Sequence, residues 1–211
     1  MYDLLLNESP KPNLHRSRIR WETDLGITID EHTWSDICRD SMSATINARY
    51  RLTHYNFLHQ TYLTPQKIHK SKPEFPDTCF RCGIEVGSFP HCTWLCNKIR
   101  PFWHDLCDVL TSITGTTFPL DPELCLLGNF TSVSDSLTRT QMKFIDIALC
   151  VARKCIAITW KSDSPLLIDR WTSEMNSCIP LEKITYNLRK RYQTFIKIWQ
   201  PYLDYIARPT S

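Results

Sequence analysis

Five residues able to bind a soft cation fall within 18 positions of this chain: Cys79, Cys82, His91, Cys92 and Cys96. Cys79-Phe80-Arg81-Cys82-Gly83 is a Cys-x2-Cys-Gly knuckle. Two residues between the thiols let both sulfurs turn to one cation, and the glycine supplies the positive φ that such a turn adopts. Tetrahedral zinc takes four N or S donors at about 2.0–2.3 Å. His91 and Cys96 supply the second pair, so the full spacing is Cys-x2-Cys-x8-His-x4-Cys. Cys92 is the alternative ligand: it lies four residues before Cys96 and would share a face with it on a helix, completing an all-cysteine set with Cys79 and Cys82. A metal-free pair, buried or redox-active, is the remaining reading. Four protein donors close the coordination sphere, which points to structural rather than catalytic Zn2+.

The chain has 211 residues, enough for one domain or two small ones. Its 42% hydrophobic and 22% charged residues are ordinary globular values. Five glycines against 13 prolines disfavour glycine-rich phosphate loops. The segment Met1 to Glu8 has no basic n-region, and its three consecutive leucines are too few for a signal peptide. The most apolar stretch, Phe144 to Trp160, is interrupted by Asp146, Arg153 and Lys154, whereas a bilayer needs about 20 apolar residues. The expectation is an intracellular protein, cytoplasmic or nuclear, neither secreted nor membrane-spanning. Its thiols are then reduced, and clustered cysteines suggest metal or catalysis rather than disulfides. Cys38, Cys107, Cys125, Cys150, Cys155 and Cys178 are scattered among apolar residues and read as packing.

Periodicity makes the chain helical nearly throughout, so the expected fold class is all-α: an irregular multi-helix domain with a small zinc-knuckle loop. Residues 1–20 read as an extended lead-in interrupted by Pro10 and Pro12. Residues 21–77 form a basic and aromatic helical segment, with helices expected at Glu31–Ser41, Ala44–Thr61 and, after Thr64-Pro65, a short third. Residues 78–115 hold the metal motif and a helix opened by Pro101 and capped by Gly115. Residues 116–211 begin with a capping box, Thr138 with Gln141, before a long buried helix to Trp160. Ser164-Pro165 restarts the chain, with Leu167, Ile168, Trp171 and Met175 inward. A last helix carries Leu181, Ile184, Leu188, Phe195 and Trp199 until Pro201 stops it. Only Ile27–Ile29 and Thr116–Phe118 look strand-like. Residues 21–211 could form one composite domain.

Net charge is only +3, but it is unevenly spread. From Ser41 to Pro73 there is no acidic residue, while Arg49, Arg51, Lys67, Lys70 and Lys72 interleave with Tyr50, Tyr55, Phe57 and Tyr62. Cations for phosphates beside rings for bases suggest a nucleic-acid surface at Arg49, Arg51, Tyr55, Lys67 and Lys70. Arg81, Lys98 and Arg100 surround the metal motif and would extend a phosphate-contacting rim. The competing reading is a solvated basic face above a buried aromatic one. Arg189-Lys190-Arg191 reads as a solvated face. His54, His59 and His104 lack a nucleophile or carboxylate constellation and read as surface or satisfied core histidines.

The knuckle and His91-Cys92-Thr93-Trp94-Leu95-Cys96 are followed in order by Pro101-Phe102-Trp103, Asp121-Pro122 and Leu126-Leu127-Gly128. With Trp21, Trp34, Asn47-Ala48-Arg49-Tyr50 and Tyr62-Leu63-Thr64-Pro65 upstream, and Ala152 to Trp160 downstream, the pattern spans roughly residues 20–160. It resembles the C-terminal, cysteine-rich region of the endonuclease and reverse-transcriptase polyprotein of non-LTR retrotransposons. The resemblance implies a helical zinc module that binds RNA or target-site DNA, with Cys79, Cys82, His91 and Cys96 as ligands and upstream reverse-transcriptase domains as partners. It implies no catalysis by this chain. The family's polymerase uses aspartate pairs in a Tyr-x-Asp-Asp setting, and Tyr202-Leu203-Asp204-Tyr205 has a single carboxylate. Endonuclease motifs are absent as well. On this reading the chain is a fragment of a longer polyprotein or a degenerate element copy. The alternative function is a structural or protein-interaction zinc module without nucleic-acid binding.

Overall fold

The computed structural model describes residues 14–208. It is all-α: α1 (Leu14–Leu25), α2 (Glu31–Ser41), α3 (Ala48–Leu58), α4 (Pro65–Ser71), α5 (Arg100–Thr114), α6 (Arg139–Ile158), α7 (Ile168–Leu188) and α8 (Tyr192–Ile206). Two short π-helical turns, His91–Leu95 and Glu123–Leu127, precede α5 and α6. Among the described residues the only β-pairing noted is an isolated antiparallel bridge between Thr78 and Val86. No helix among the described residues is long and apolar enough to cross a membrane.

Local signals set most helix ends. Asp30 accepts from Thr33 N–H at the start of α2, and Thr64 accepts from Lys67 N–H ahead of Pro65 in α4. Thr138 and Gln141 form the reciprocal capping box of α6, and Gly115 closes α5 in the left-handed region.

Helix α6 is the axis. Phe144, Ile145 and every residue from Ile147 to Ile156 except Lys154 are buried, so its apolar surface runs nearly all round. A helix of that kind needs cover on every side. It packs against α3, α7, α8 and the second π turn, while α8 also meets α5. Three fully buried tryptophans tie elements together by donating indole N–H to backbone carbonyls. Trp21 of α1 reaches Leu58 O (2.8 Å), Trp103 of α5 reaches Thr93 O (2.8 Å) and Trp171 of α7 reaches Ala148 O (2.9 Å). The buried apolar residues from Trp21 to Tyr202 form one cluster.

Several expectations require correction. Residues 14–20 are helical, not extended, and the boundary expected at residue 20 falls inside α1. Tertiary anchors at Trp21 and at Ser17, whose hydroxyl lies 2.9 Å from His59 Nδ1, hold this helix. Residues 1–13 of the expected lead-in lie outside the described residues. Helix α3 is shorter than Ala44–Thr61 because Asn47 caps it and Gln60 takes a positive φ of 48°. Gln60 is held there by a 2.7 Å bond from its amide to Asp24.

The two tail segments break at residues 189–191, not between Met175 and Leu181 as expected. Leu181, Ile184 and Leu188 sit on the exposed end of α7, and Leu167 is exposed rather than inward. Proline stops neither helix: Pro180 lies inside α7 and Pro201 inside α8. Each removes one backbone bond, but buried residues on both sides (Met175, Cys178 and Glu182; Ile198, Trp199 and Tyr202) carry the helix through. Ile27–Ile29 and Thr116–Phe118 are irregular connections rather than strands.

Trp171→Phe is expected to lower stability by about 1–3 kcal/mol, from a lost buried hydrogen bond and a small void. Leu188→Ala, at an exposed position, should stay within about 0.5 kcal/mol of wild type. Urea denaturation of both variants checks the inward and outward faces of α7.

Candidate metal centre

The knuckle turns because Gly83 N–H reaches back to Cys79 O (2.8 Å) with Gly83 at φ +70°. Only a residue without a Cβ takes this conformation at little cost. The bridge around it is closed by Cys79 N–H to Glu85 O (2.8 Å) and Gly87 N–H to Asp77 O (2.7 Å). Gly87 lets this segment lie against α4, since a Cβ there would stand 2.6–2.9 Å from ring carbons of Pro65.

The second donor pair depends on the first π turn. In an α-helix, residues five apart point about 140° away from each other. The wider turn closes Cys96 N–H onto His91 O (2.9 Å) and brings the two side chains to one side. The Cys79, Cys82, His91 and Cys96 donor atoms then all lie within 4.8 Å of one another. His91 Nε2 is 3.4 Å from Cys82 Sγ. Bond lengths of about 2.0–2.3 Å separate tetrahedral donors by roughly 3.3–3.8 Å; the His91–Cys82 separation lies in that range, and the set could hold one metal ion. All but Cys82 are buried.

Cys92 is not in this set. The helical face that would pair it with Cys96 is absent because the turn is π rather than α. Its thiol instead donates to Cys79 Sγ at 3.9 Å. That contact, with backbone N–H groups of Cys82 and Arg81, holds the Cys79 thiol down to about 4. The same contact, together with burial, pushes Cys92 up, and burial pushes Cys96 up to about 11. Cys92 therefore stands beside the candidate donor set, as a hydrogen-bond donor to the Cys79 sulfur.

The basic residues divide in two. Arg81, expected at a phosphate-contacting rim, is only 4% exposed. Its guanidinium donates to Ser164 O (2.9 Å), Thr159 O (2.8 Å) and Thr159 Oγ1 (3.0 Å), clasping the knuckle to the end of α6. Lys98 joins the same loop through Asp163 O (2.8 Å). Lys67 Nζ donates to Gln60 O and Tyr62 O, serving the carbonyls that follow α3. Arg51 reaches Met42 O at 3.3 Å. Arg49, Lys70 and Arg100 remain exposed. Tyr55 is exposed too, its ring 4.3 Å from that of His59.

A second cluster escaped the sequence reading. Asp146, Cys150 and Arg153 recur at four- and three-residue steps on α6, and α3 brings His54 against them. The helical spacing was visible in the sequence, but the approach of α3 was not. His54, Asp146 and Cys150 could in principle hold a metal ion. However, the fully buried Arg153 already puts Nη2 at 3.4 Å from Cys150 Sγ and 3.5 Å from His54 Nδ1. A guanidinium occupies the place of a cation, and burial with that charge pushes His54 well below its usual range. Desolvation raises Asp146 to about 6.

No protein-family model matches the chain.

Cobalt titration of the metal-free chain is expected to give one equivalent with thiolate charge-transfer bands. Cys92→Ser and Cys150→Ala should retain it, and Cys79→Ser/Cys82→Ser should lose it. For Asp146, a folded pKa above the unfolded value means the folded state holds an extra proton between about pH 4 and 6, so this group's contribution falls as pH rises through that window. Asp146→Asn should therefore be more stable than wild type at pH 7, with the difference shrinking towards pH 4. Urea unfolding of both proteins across that range measures it.

Proposed function

We infer that this chain is a non-catalytic, zinc-stabilised nucleic-acid-binding module. The observation that carries the reading is the closed, largely buried set Cys79, Cys82, His91 and Cys96. Three thiolates and one imidazole are the donor chemistry of structural zinc, and four protein ligands leave no open position for water. In this role the ion joins the knuckle to the first π turn and stabilises the fold. The binding free energy of such sites, about 10–16 kcal/mol in zinc-finger peptides, is large beside the net stability of a domain.

Nucleic-acid contact is supported by the exposed cations Arg49, Lys70 and Arg100 with Tyr55, and by the resemblance to retrotransposon zinc regions that bind RNA or target-site DNA. Arg81 and Lys67 direct their donors to backbone carbonyls and drop out of the contact set, whereas half-buried Lys98 gives a single donor to Asp163 O. Upstream reverse-transcriptase domains would be the natural partners of such a module. A second reading, a protein-interaction module, is favoured by the exposed apolar residues of the metal loop and π turn, Phe80, Ile84, Val86 and Leu95.

The zinc-loaded chain is expected to bind single-stranded RNA or DNA with log K falling linearly in log salt, by about 0.7 per phosphate contact for single strands. Arg49→Ala/Arg100→Ala should reduce that slope by about 1.4. Lys143→Ala should not, because its ammonium is bound to Ser43 O and Ala44 O. Failure of RNA, single-stranded DNA and duplex DNA to bind at low salt would favour the protein-interaction reading.

A further inference from the structure

The C-terminal end of α7 shows solvent what a soluble helix normally hides. Leu181, Ile184 and Leu188 are 46%, 57% and 79% exposed. Their spacing of three and four residues places them on one stripe, and Tyr192, also exposed, follows at the start of α8. The opposite face of the same segment is buried: Glu182 is covered and accepts from Thr45 Oγ1 at 2.9 Å. The stripe is therefore an outward surface of an anchored helix rather than a frayed end.

Charge is equally one-sided here. Lys183, Arg189, Lys190, Arg191 and Lys197 are cations, and no acidic residue lies between Lys183 and Lys197. All five are exposed, and no salt bridge among the described residues involves them. Arg189, Lys190 and Arg191 stand together at the end of the stripe.

We propose that this surface is a docking site for an acidic amphipathic helix of a partner protein: apolar residues lie along Leu181, Ile184 and Leu188, and carboxylates meet Arg189, Lys190 and Arg191. An apolar row with a charged flank is the helix-in-groove and zipper mode of recognition. A second copy of the chain fits poorly. Parallel pairing would set the basic cluster against itself, and antiparallel pairing about Ile184 would set it opposite Ser177, Cys178 and Ile179, where there is no carboxylate. A nucleic acid would use the cations but leave three branched aliphatic side chains without stacking chemistry. The proposal does not depend on nucleic-acid contact through α3.

The test uses the full metal-loaded chain and two fluorescein-labelled helical peptides of about three heptads, with leucine at a and d and either glutamate or lysine at e and g. Fluorescence anisotropy is expected to show saturable binding of the glutamate peptide and none of the lysine peptide. Ile184→Asp and Leu188→Asp should each weaken binding about tenfold or more without moving the urea midpoint. Arg189→Glu/Arg191→Glu should lose the glutamate peptide and acquire the lysine peptide, a swap that a merely structural role would not produce. Equal binding of both peptides, binding of neither, or indifference to these substitutions overturns the proposal. So does displacement of the peptide by a single-stranded oligonucleotide, or a dimer that dissociates on Ile184→Asp.

Discussion

A helix apolar on nearly every side cannot rest at a surface, and that requirement organises this protein. Helix α6 buries a nearly unbroken run from Phe144 to Ile156. Cover on several flanks is the cheapest way to remove that much apolar surface from water, at roughly 25 cal/mol per Å2. The flanking helices α3, α7 and α8 are each held by packing, and specific devices add to it. The Trp171 indole ties α7 to the middle of α6. Thr45, just ahead of α3, meets Glu182 of α7. Arg153 reaches from α6 to Cys125 O on the second π turn (2.9 Å).

The metal loop is joined to this axis through Arg81. A buried guanidinium costs a great deal unless its donors are met. Here they are met by the backbone that leaves α6, at Thr159 and Ser164. Arg81, one of the two residues between the knuckle thiols, thus couples the candidate donor set to the core. A cation that looks suited to phosphate is unavailable to one, because its hydrogen-bonding capacity is already directed inward. Lys67 follows the same rule with partner carbonyls of its own.

The donor set was legible because coordination chemistry restricts residue type and spacing together. Cys-x2-Cys-Gly and His-x4-Cys pointed to Cys79, Cys82, His91 and Cys96 directly. The choice between His91 and Cys92 was not legible, since it turns on whether five residues wind as an α or a π turn. Helix starts were legible at Asp30, Thr64 and Thr138, where a side chain caps its own backbone, but not at Asn47, whose cap starts α3 at Ala48 rather than Ala44. Proline misled: Pro201 reads as a stop, yet it and Pro180 cost only one hydrogen bond each inside helices pinned on both sides. The cluster of His54, Asp146, Cys150 and Arg153 was half visible, as a repeating face on α6, but its fourth member comes from 92 positions upstream of Asp146.

By itself, then, the sequence determined the helical class, several helix starts and the candidate donor set down to the choice between His91 and Cys92, because these rest on local periodicity, local capping and ligand spacing. The tertiary structure alone decided which cations face solvent and which are consumed internally, and which leucines are core and which are surface. Those outcomes depend on what lies across the interface from each side chain. Arg81 is buried because the end of α6 passes beside the knuckle, and Leu188 is exposed because no described element covers the end of α7.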